Sequence, residues 1–121
     1  MLVEDDPLVA MDLEMVLLAA GYRLIGPAGS CRQALSMLRR EAPDLVILDI
    51  NLHGEMAFAV FDHLDELGRP FIIASGHSRY VVPARHAHRP FLQKPCDANV
   101  LLRTVRSVLN ESSPEIASRI A

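Results

Sequence analysis

Leu45-Val46-Ile47-Leu48 sets four apolar residues in a row between Pro43-Asp44 and Asp49. A strand wetted on one face alternates apolar and polar side chains. An unbroken run of this length therefore marks a strand covered on both faces, as in a parallel sheet between two layers of helices. A second run, Phe71-Ile72-Ile73-Ala74, stops at Ser75-Gly76, and a shorter one, Phe91-Leu92-Gln93, stops at Lys94-Pro95. Leu2-Val3 is apolar but brief and runs into Glu4-Asp5-Asp6-Pro7, so the first strand is clipped: either the chain begins close to its core or residues precede Met1. Tyr22 to Ala28 reads as one more strand, with a Gly26-Pro27 break near its end.

The segments between these runs read as helices. After Pro7, Val9, Leu13, Val16, Leu17 and Ala20 recur at three- and four-residue steps with Asp12 and Glu14 off the stripe, and Gly21 ends the helix. Ser30 caps a second helix with an inward stripe of Cys31, Ala34, Leu35 and Leu38, leaving Arg32, Arg39 and Arg40 to water. A third carries Ala57, Val60, Phe61 and Leu64 on one face and stops at Gly68-Arg69-Pro70. Asp97 caps a last helix with Leu101, Val105 and Val108 inward. Between Ser75 and Phe91, however, Pro83, Pro90 and the run Arg85-His86-Ala87-His88-Arg89 give a poor helical pattern with few apolar residues to pin it. The fourth helix is expected to be irregular, and His86 and His88 to lie on a solvated basic face. Five strands alternating with helices make parallel crossovers, which are right-handed, so the fold class is α/β with a doubly wound five-stranded parallel sheet.

Composition narrows the function. The chain has 121 residues, half of them apolar, enough for one core without disulfide staples. Twelve Lys plus Arg against fifteen Asp plus Glu leave a formal charge of −3, which disfavours direct nucleic-acid binding. Cys31 and Cys96 lack ligand-like spacing and read as free thiols. Neither a membrane span nor a signal peptide is visible, which makes a cytoplasmic protein the default.

In an open α/β sheet, ligands gather beyond the carboxyl ends of the strands. Glu4 and Asp5 end the first strand, Asp49 the third, Ser75 the fourth and Lys94 the fifth, so five functional groups converge on one edge. Three carboxylates repel unless a cation or protons compensate, and hard oxygen donors suit Mg²⁺. Ser75 and Lys94 add a hydroxyl and an ammonium for an anion with several oxygens. Lys94 is the one lysine among twelve basic residues, the other eleven being arginines, so a compact charge is favoured here over a planar fork. The edge reads as a site for a metal and a phosphoryl group.

These motifs, together with Asn51 and Gly54 after Asp49, resemble the receiver domain of two-component response regulators over about residues 1 to 110, leaving 111–121 as a tail or the start of a linker. The resemblance implies a flavodoxin-like strand order of 2-1-3-4-5. It further implies that Asp49 is the phosphoacceptor for a sensor histidine kinase or phosphotransfer protein, and that Mg²⁺ is held by Glu4, Asp5, Asp49 and the Asn51 backbone carbonyl. Lys94 would pair with the phosphoryl group and Ser75 would move to it. Phe91, three residues before Lys94, matches an aromatic switch position and equally suits an ordinary strand core. Asn51 and His77 occupy positions that tune loss of the phosphoryl group. Such a domain is a phosphoacceptor rather than an enzyme in the usual sense, acts through a downstream protein partner, and touches neither nucleic acid nor membrane itself.

Three other readings share parts of the pattern. A haloacid-dehalogenase-type phosphatase also uses a strand-end Asp and Mg²⁺, but it wants a second Asp where this chain has Asn51, and a nucleophile earlier in chain order. A receiver-like module that never takes up phosphate would leave polar positions unfilled, whereas all five are filled here. A flavodoxin-type cofactor protein wants donors after the first strand, where this chain is acidic.

Overall fold

The computed structural model describes residues 1–112. In chain order these form β1 (Leu2–Val3), α1 (Pro7–Ala19), α2 (Cys31–Arg40), β2 (Val46–Leu48), β3 (Asn51–Leu52), β4 (Glu55–Met56), α3 (Phe58–Leu67), β5 (Phe71–Ser75), β6 (Phe91–Gln93) and α4 (Ala98–Ser112). Strands β1, β2, β5 and β6 make a parallel sheet in that spatial order, with Leu2 opposite Ile47, Leu48 opposite Ile73 and Ile73 opposite Phe91.

The unbroken apolar runs are explained by what covers them. Val3, Val46, Leu48, Phe71 and Ile73 point to one face, where they meet Ala34 and Leu38 of α2 and Val60, Phe61 and Leu64 of α3. Their neighbours Leu2, Ile47, Ile72, Ala74 and Leu92 point to the other, against Ala10, Leu13 and Leu17 of α1 and Leu101, Val105 and Val108 of α4. The period-2 alternation of strand side chains thus feeds two cores. Helix α1 sits slightly rotated from the expected stripe: Ala10, Leu13 and Leu17 are buried, Val9 and Val16 only half so, and Leu8, Met11, Met15 and Leu18 are exposed.

The caps form where the residue types ask for them. Asp6 accepts from the amides of Leu8 and Val9, Ser30 from that of Gln33, and Asp97 from those of Asn99 and Val100. Gly68 closes α3 at φ 67°, left-handed backbone that suits glycine. Helix α4 runs through Ser112, and the rest of the expected tail, 113–121, lies outside the described residues. Cys31 and Cys96 are free.

Two segments depart from expectation. Tyr22 to Ala28 does lie along the outer edge of β1, in the place of strand 2 in the order 2-1-3-4-5, but the only strand pairing is a single bridge between Val3 and Ala28. The Leu2 amide donates to Ile25 and the Ala28 amide to Leu2, each at 2.9 Å, and the ladder is broken between them. Pro27 has no N–H to give. Gly26 stands at φ 104°, where a Cβ would come 2.6 Å from the Leu2 carbonyl oxygen. The ordered sheet is therefore four strands plus this bridge.

The crossover from β5 to β6 contains no α-helix, only two 3₁₀ turns, Arg79–Val81 and Ala84–His86. Val82, preceding Pro83, is pushed to ψ 128° and separates them. The expectation of a solvated basic face is corrected for His86, which is fully buried, edge-on to Phe61 and Phe71. Its Nε2 is 2.7 Å from Asp62 Oδ1 and its Nδ1 3.4 Å from Asp65 Oδ2. Arg85 donates twice to Asp62, and Arg89 pairs with Asp65 while its guanidinium lies 4.4 Å from the Phe71 ring centre. Two carboxylates one helical turn apart on α3 thus hold the segment, in place of an apolar stripe. His88 is exposed, as expected.

Two stability predictions follow from these contacts. Gly26→Ala forces strain and a backbone clash, and should lower unfolding free energy by more than about 1 kcal/mol in urea. Gly76→Ala, at a site with open space for a Cβ and no positive φ, should stay within about 0.5 kcal/mol of wild type. The second concerns acid. Hydrogen bonds from Arg85, then His86, hold the Asp62 carboxyl at about 2, below its ordinary 3.8. A depressed carboxyl contributes stability above its unfolded value and loses it as pH falls from 3.8 toward 2. Stability should decline over that window, and Asp62→Asn should flatten the decline; an unchanged acid slope would contradict this.

Candidate functional site

The carboxyl ends of the strands bring the candidate residues to one edge. Lys94, just past β6, donates from Nζ to Asp49 Oδ2 at 2.9 Å and to Glu4 Oε1. One ammonium therefore ties the last strand to the ends of β1 and β2. Glu4 is 4% exposed, and its other oxygen accepts from the Asp5 amide at 3.0 Å. Asp49 Oδ1 accepts from the Ile50 amide at 2.7 Å.

Burial and partners compete at each charge. Burial raises the Glu4 carboxyl above its usual range, and the Lys94 hydrogen bond and charge only partly oppose it. For Lys94 burial pulls down, but hydrogen bonds to Asp49 and Glu4 outweigh it, so the ammonium is held more firmly than an ordinary lysine. Burial also raises Asp5, yet the His53 amide, Glu4 and its own amide prevail and hold it ionised below the ordinary range.

One carboxylate oxygen each from Glu4, Asp5 and Asp49 lie within 4.8 Å of one another. Donors about 2.1 Å from an octahedral ion stand roughly 3 Å apart when adjacent and about 4 Å when opposite, so a modest contraction closes the set. All three are hard oxygens, which fits Mg²⁺.

Of the remaining candidates, Ser75 is the one bonded to a member of this edge, through the Lys94 amide. Ser75 is fully buried at the end of β5; its Oγ accepts from the His77 amide at 3.1 Å, and its carbonyl accepts from the Lys94 amide at 2.8 Å. The His77 residue itself is exposed. Phe91 is half-buried against the α2–α3 face, with the Arg79 guanidinium 5.8 Å from its ring centre. Asn51 lies two residues beyond Asp49, and its side-chain oxygen accepts from the Gly54 amide at 2.8 Å.

Two residues escaped the sequence reading. After Asp49 the chain folds into the β3–β4 hairpin, with Asn51 opposite Met56 and Leu52 opposite Glu55. Its two-residue turn, His53-Gly54, has positive φ at both positions, 51° and 82°, as tight hairpins require. That turn aims the His53 amide at Asp5 Oδ2, 2.9 Å away. Glycine after a short polar-apolar pair was the available signal. Gln93 is the other: its amide nitrogen donates to the Gly76 carbonyl, tying the loop after β5 to β6.

The architecture and this edge define a doubly wound α/β domain with a lysine-bridged acidic site at the ends of its strands. The chain belongs to the response regulator receiver domain family, which it matches over residues 1–106. Among curated relatives, it is 30% identical to the transcriptional regulatory protein GlrR of Escherichia coli over 98% of this chain and 28% of that protein. It is 31% identical to AfsQ1 of Streptomyces coelicolor over 95% and 52%. The chain thus spans between about a quarter and a half of these relatives. Among solved structures, SdrG from Sphingomonas melonis superposes with a TM-score of 0.79 at 34% identity, covering 89% of this chain and 92% of that one. The receiver domain of a Luxo repressor protein from Vibrio parahaemolyticus gives 0.80 at 27%, covering 94% and 91%. Receiver domains accept a phosphoryl group on an aspartate in two-component signalling and are not enzymes of the ordinary kind. Among the described residues, no helix is long and apolar enough to cross a membrane.

Proposed function

We propose that Asp49 is the phosphoacceptor, with Mg²⁺ held by Glu4, Asp5, Asp49 and the Asn51 backbone carbonyl. The observation that carries this reading is the Lys94 ammonium shared between Asp49 and Glu4, next to Asp5. An Asp49 carboxylate oxygen attacks the phosphorus of a phosphohistidine on a sensor histidine kinase or phosphotransfer protein. The P–N bond breaks, its electron pair stays with the imidazole, and an aspartyl phosphate remains. Bound Mg²⁺ supplies positive charge against the carboxylates and the phosphoryl oxygens. Lys94 then gives up a carboxylate contact for a phosphoryl oxygen. Ser75, whose oxygen already accepts from His77, keeps its hydroxyl proton to donate. Asn51 and His77 flank the group and set how readily water removes it.

Movement of Ser75 reaches outward through named contacts. Its hydroxyl carries His77, and Gly76 is tied to Gln93 on the strand that bears Phe91. The crossover after it is held by the arginine and histidine contacts to α3, so a polyanion at Asp49 shifts a segment pinned by a few polar contacts. Its readout is a protein partner that reads residues 76 to 91 in a cytoplasmic pathway, with no direct nucleic-acid or membrane contact by this domain.

Two measurements check this reading. Incubation with a small acyl phosphate and Mg²⁺ should add one phosphoryl mass that Asp49→Ala abolishes; a shift persisting in that variant would sink the assignment. Hydrogen exchange with and without the phosphoryl group should change protection from Gly76 through Phe91. A change restricted to the neighbourhood of Asp49 would refute the switch.

A further inference from the structure

The hairpin turn sets an imidazole beside the acidic cluster. His53 adopts φ 51°, left-handed backbone that side chains other than glycine rarely take, and its amide and its ring both address Asp5. Nδ1 is 3.7 Å from Asp5 Oδ2. That separation is longer than the roughly 3 Å between adjacent donors on one octahedral ion, a gap that a turn of the ring can close. The ring is 69% exposed, free to turn about its side-chain bonds, and is thus not a packing residue. The grouped carboxylate oxygens are those of Glu4, Asp5 and Asp49, and His53 adjoins that group through Asp5. Lys94 occupies a Glu4 oxygen and an Asp49 oxygen and forms no hydrogen bond or ion pair with Asp5.

From this geometry we propose that His53 is a specificity-determining residue of the metal site: its imidazole joins Asp5 on the bound ion and tips the preference from Mg²⁺ toward nitrogen-binding transition ions. The proposal rests on the reading of the acidic cluster as a divalent-cation site. Its chemistry is that of the donor set. Three carboxylates alone make an all-oxygen site, suited to a hard ion that gains little from imidazole. One added imidazole changes that for ions such as Co²⁺ and Ni²⁺, which bind nitrogen well.

The test is calorimetric titration of the full chain with Mg²⁺ and, separately, with Co²⁺, for wild type, His53→Ala and His53→Gly. The glycine variant suits the positive φ and so guards against loss of the turn. Both variants should bind Co²⁺ at least about tenfold more weakly, while Mg²⁺ affinity stays within about twofold. The visible absorption of bound Co²⁺ should also shift when the imidazole is removed. Three results would overturn the proposal: unchanged affinity for both ions, equal loss for both, which assigns His53 to holding Asp5, or tighter Mg²⁺ binding, which makes the ring a competing cation. Asp5→Asn separates this from the underlying reading. If wild type binds the ions and Asp5→Asn binds them equally well, the acidic cluster is not the site, and the proposal falls with it.

Discussion

Three carboxylates at one sheet edge are the constraint around which the rest of this domain is arranged. Like charges about 4 Å apart repel by on the order of 4 kcal/mol at an effective dielectric near 20, a large part of the 5–15 kcal/mol that holds a typical domain together. The Lys94 ammonium meets this by hydrogen bonding to two of the three, Asp49 and Glu4. Asp5 is met differently, by the His53 amide from the hairpin. A compact ammonium suits this better than a guanidinium, since it contacts two oxygens from different strands without the fixed fork of arginine. The parallel sheet makes the meeting possible, because each strand ends on the same edge.

The opposite device operates on the crossover to β6. There the missing helix leaves little apolar surface, and the chain is held to α3 through Asp62 and Asp65. A fully buried His86 between two carboxylates is a contact with directional requirements, unlike a leucine that tolerates sliding. A segment held this way has few arrangements that keep its partners, which is the behaviour wanted of an element that answers to a distant charge.

Much of the fold was legible because burial leaves a pattern. Leu45–Leu48 and Phe71–Ala74 are unbroken runs since helices cover both faces, and the polar residue that ends each run falls at the sheet edge for the same reason. What stayed hidden depends on contacts distant in sequence. Tyr22–Ala28 carries strand-like residues, and beyond the missing Pro27 N–H it is the close approach of Gly26 to Leu2 that marks why pairing shrinks to one bridge. His86 sits among arginines in sequence and looked solvated; its partners, Asp62 and Asp65, lie more than twenty residues earlier and show no local signal. At the site, the strand-end groups could be named from position alone, whereas His53 required knowing that its turn folds back over Asp5.

The proposed phosphoryl chemistry depends most on Asp49 and Lys94 sharing one anion. A crystal structure of the chain with Mg²⁺ and beryllofluoride, a phosphoryl mimic, tests this directly. The mimic should be bonded to an Asp49 carboxylate oxygen, with Lys94 Nζ and Ser75 Oγ within hydrogen-bond distance of its fluorines and Lys94 withdrawn from at least one of its present carboxylates. A mimic seated on Glu4 or Asp5, or bound at Asp49 while Lys94 keeps both carboxylates and stays clear of the fluorines, would contradict it.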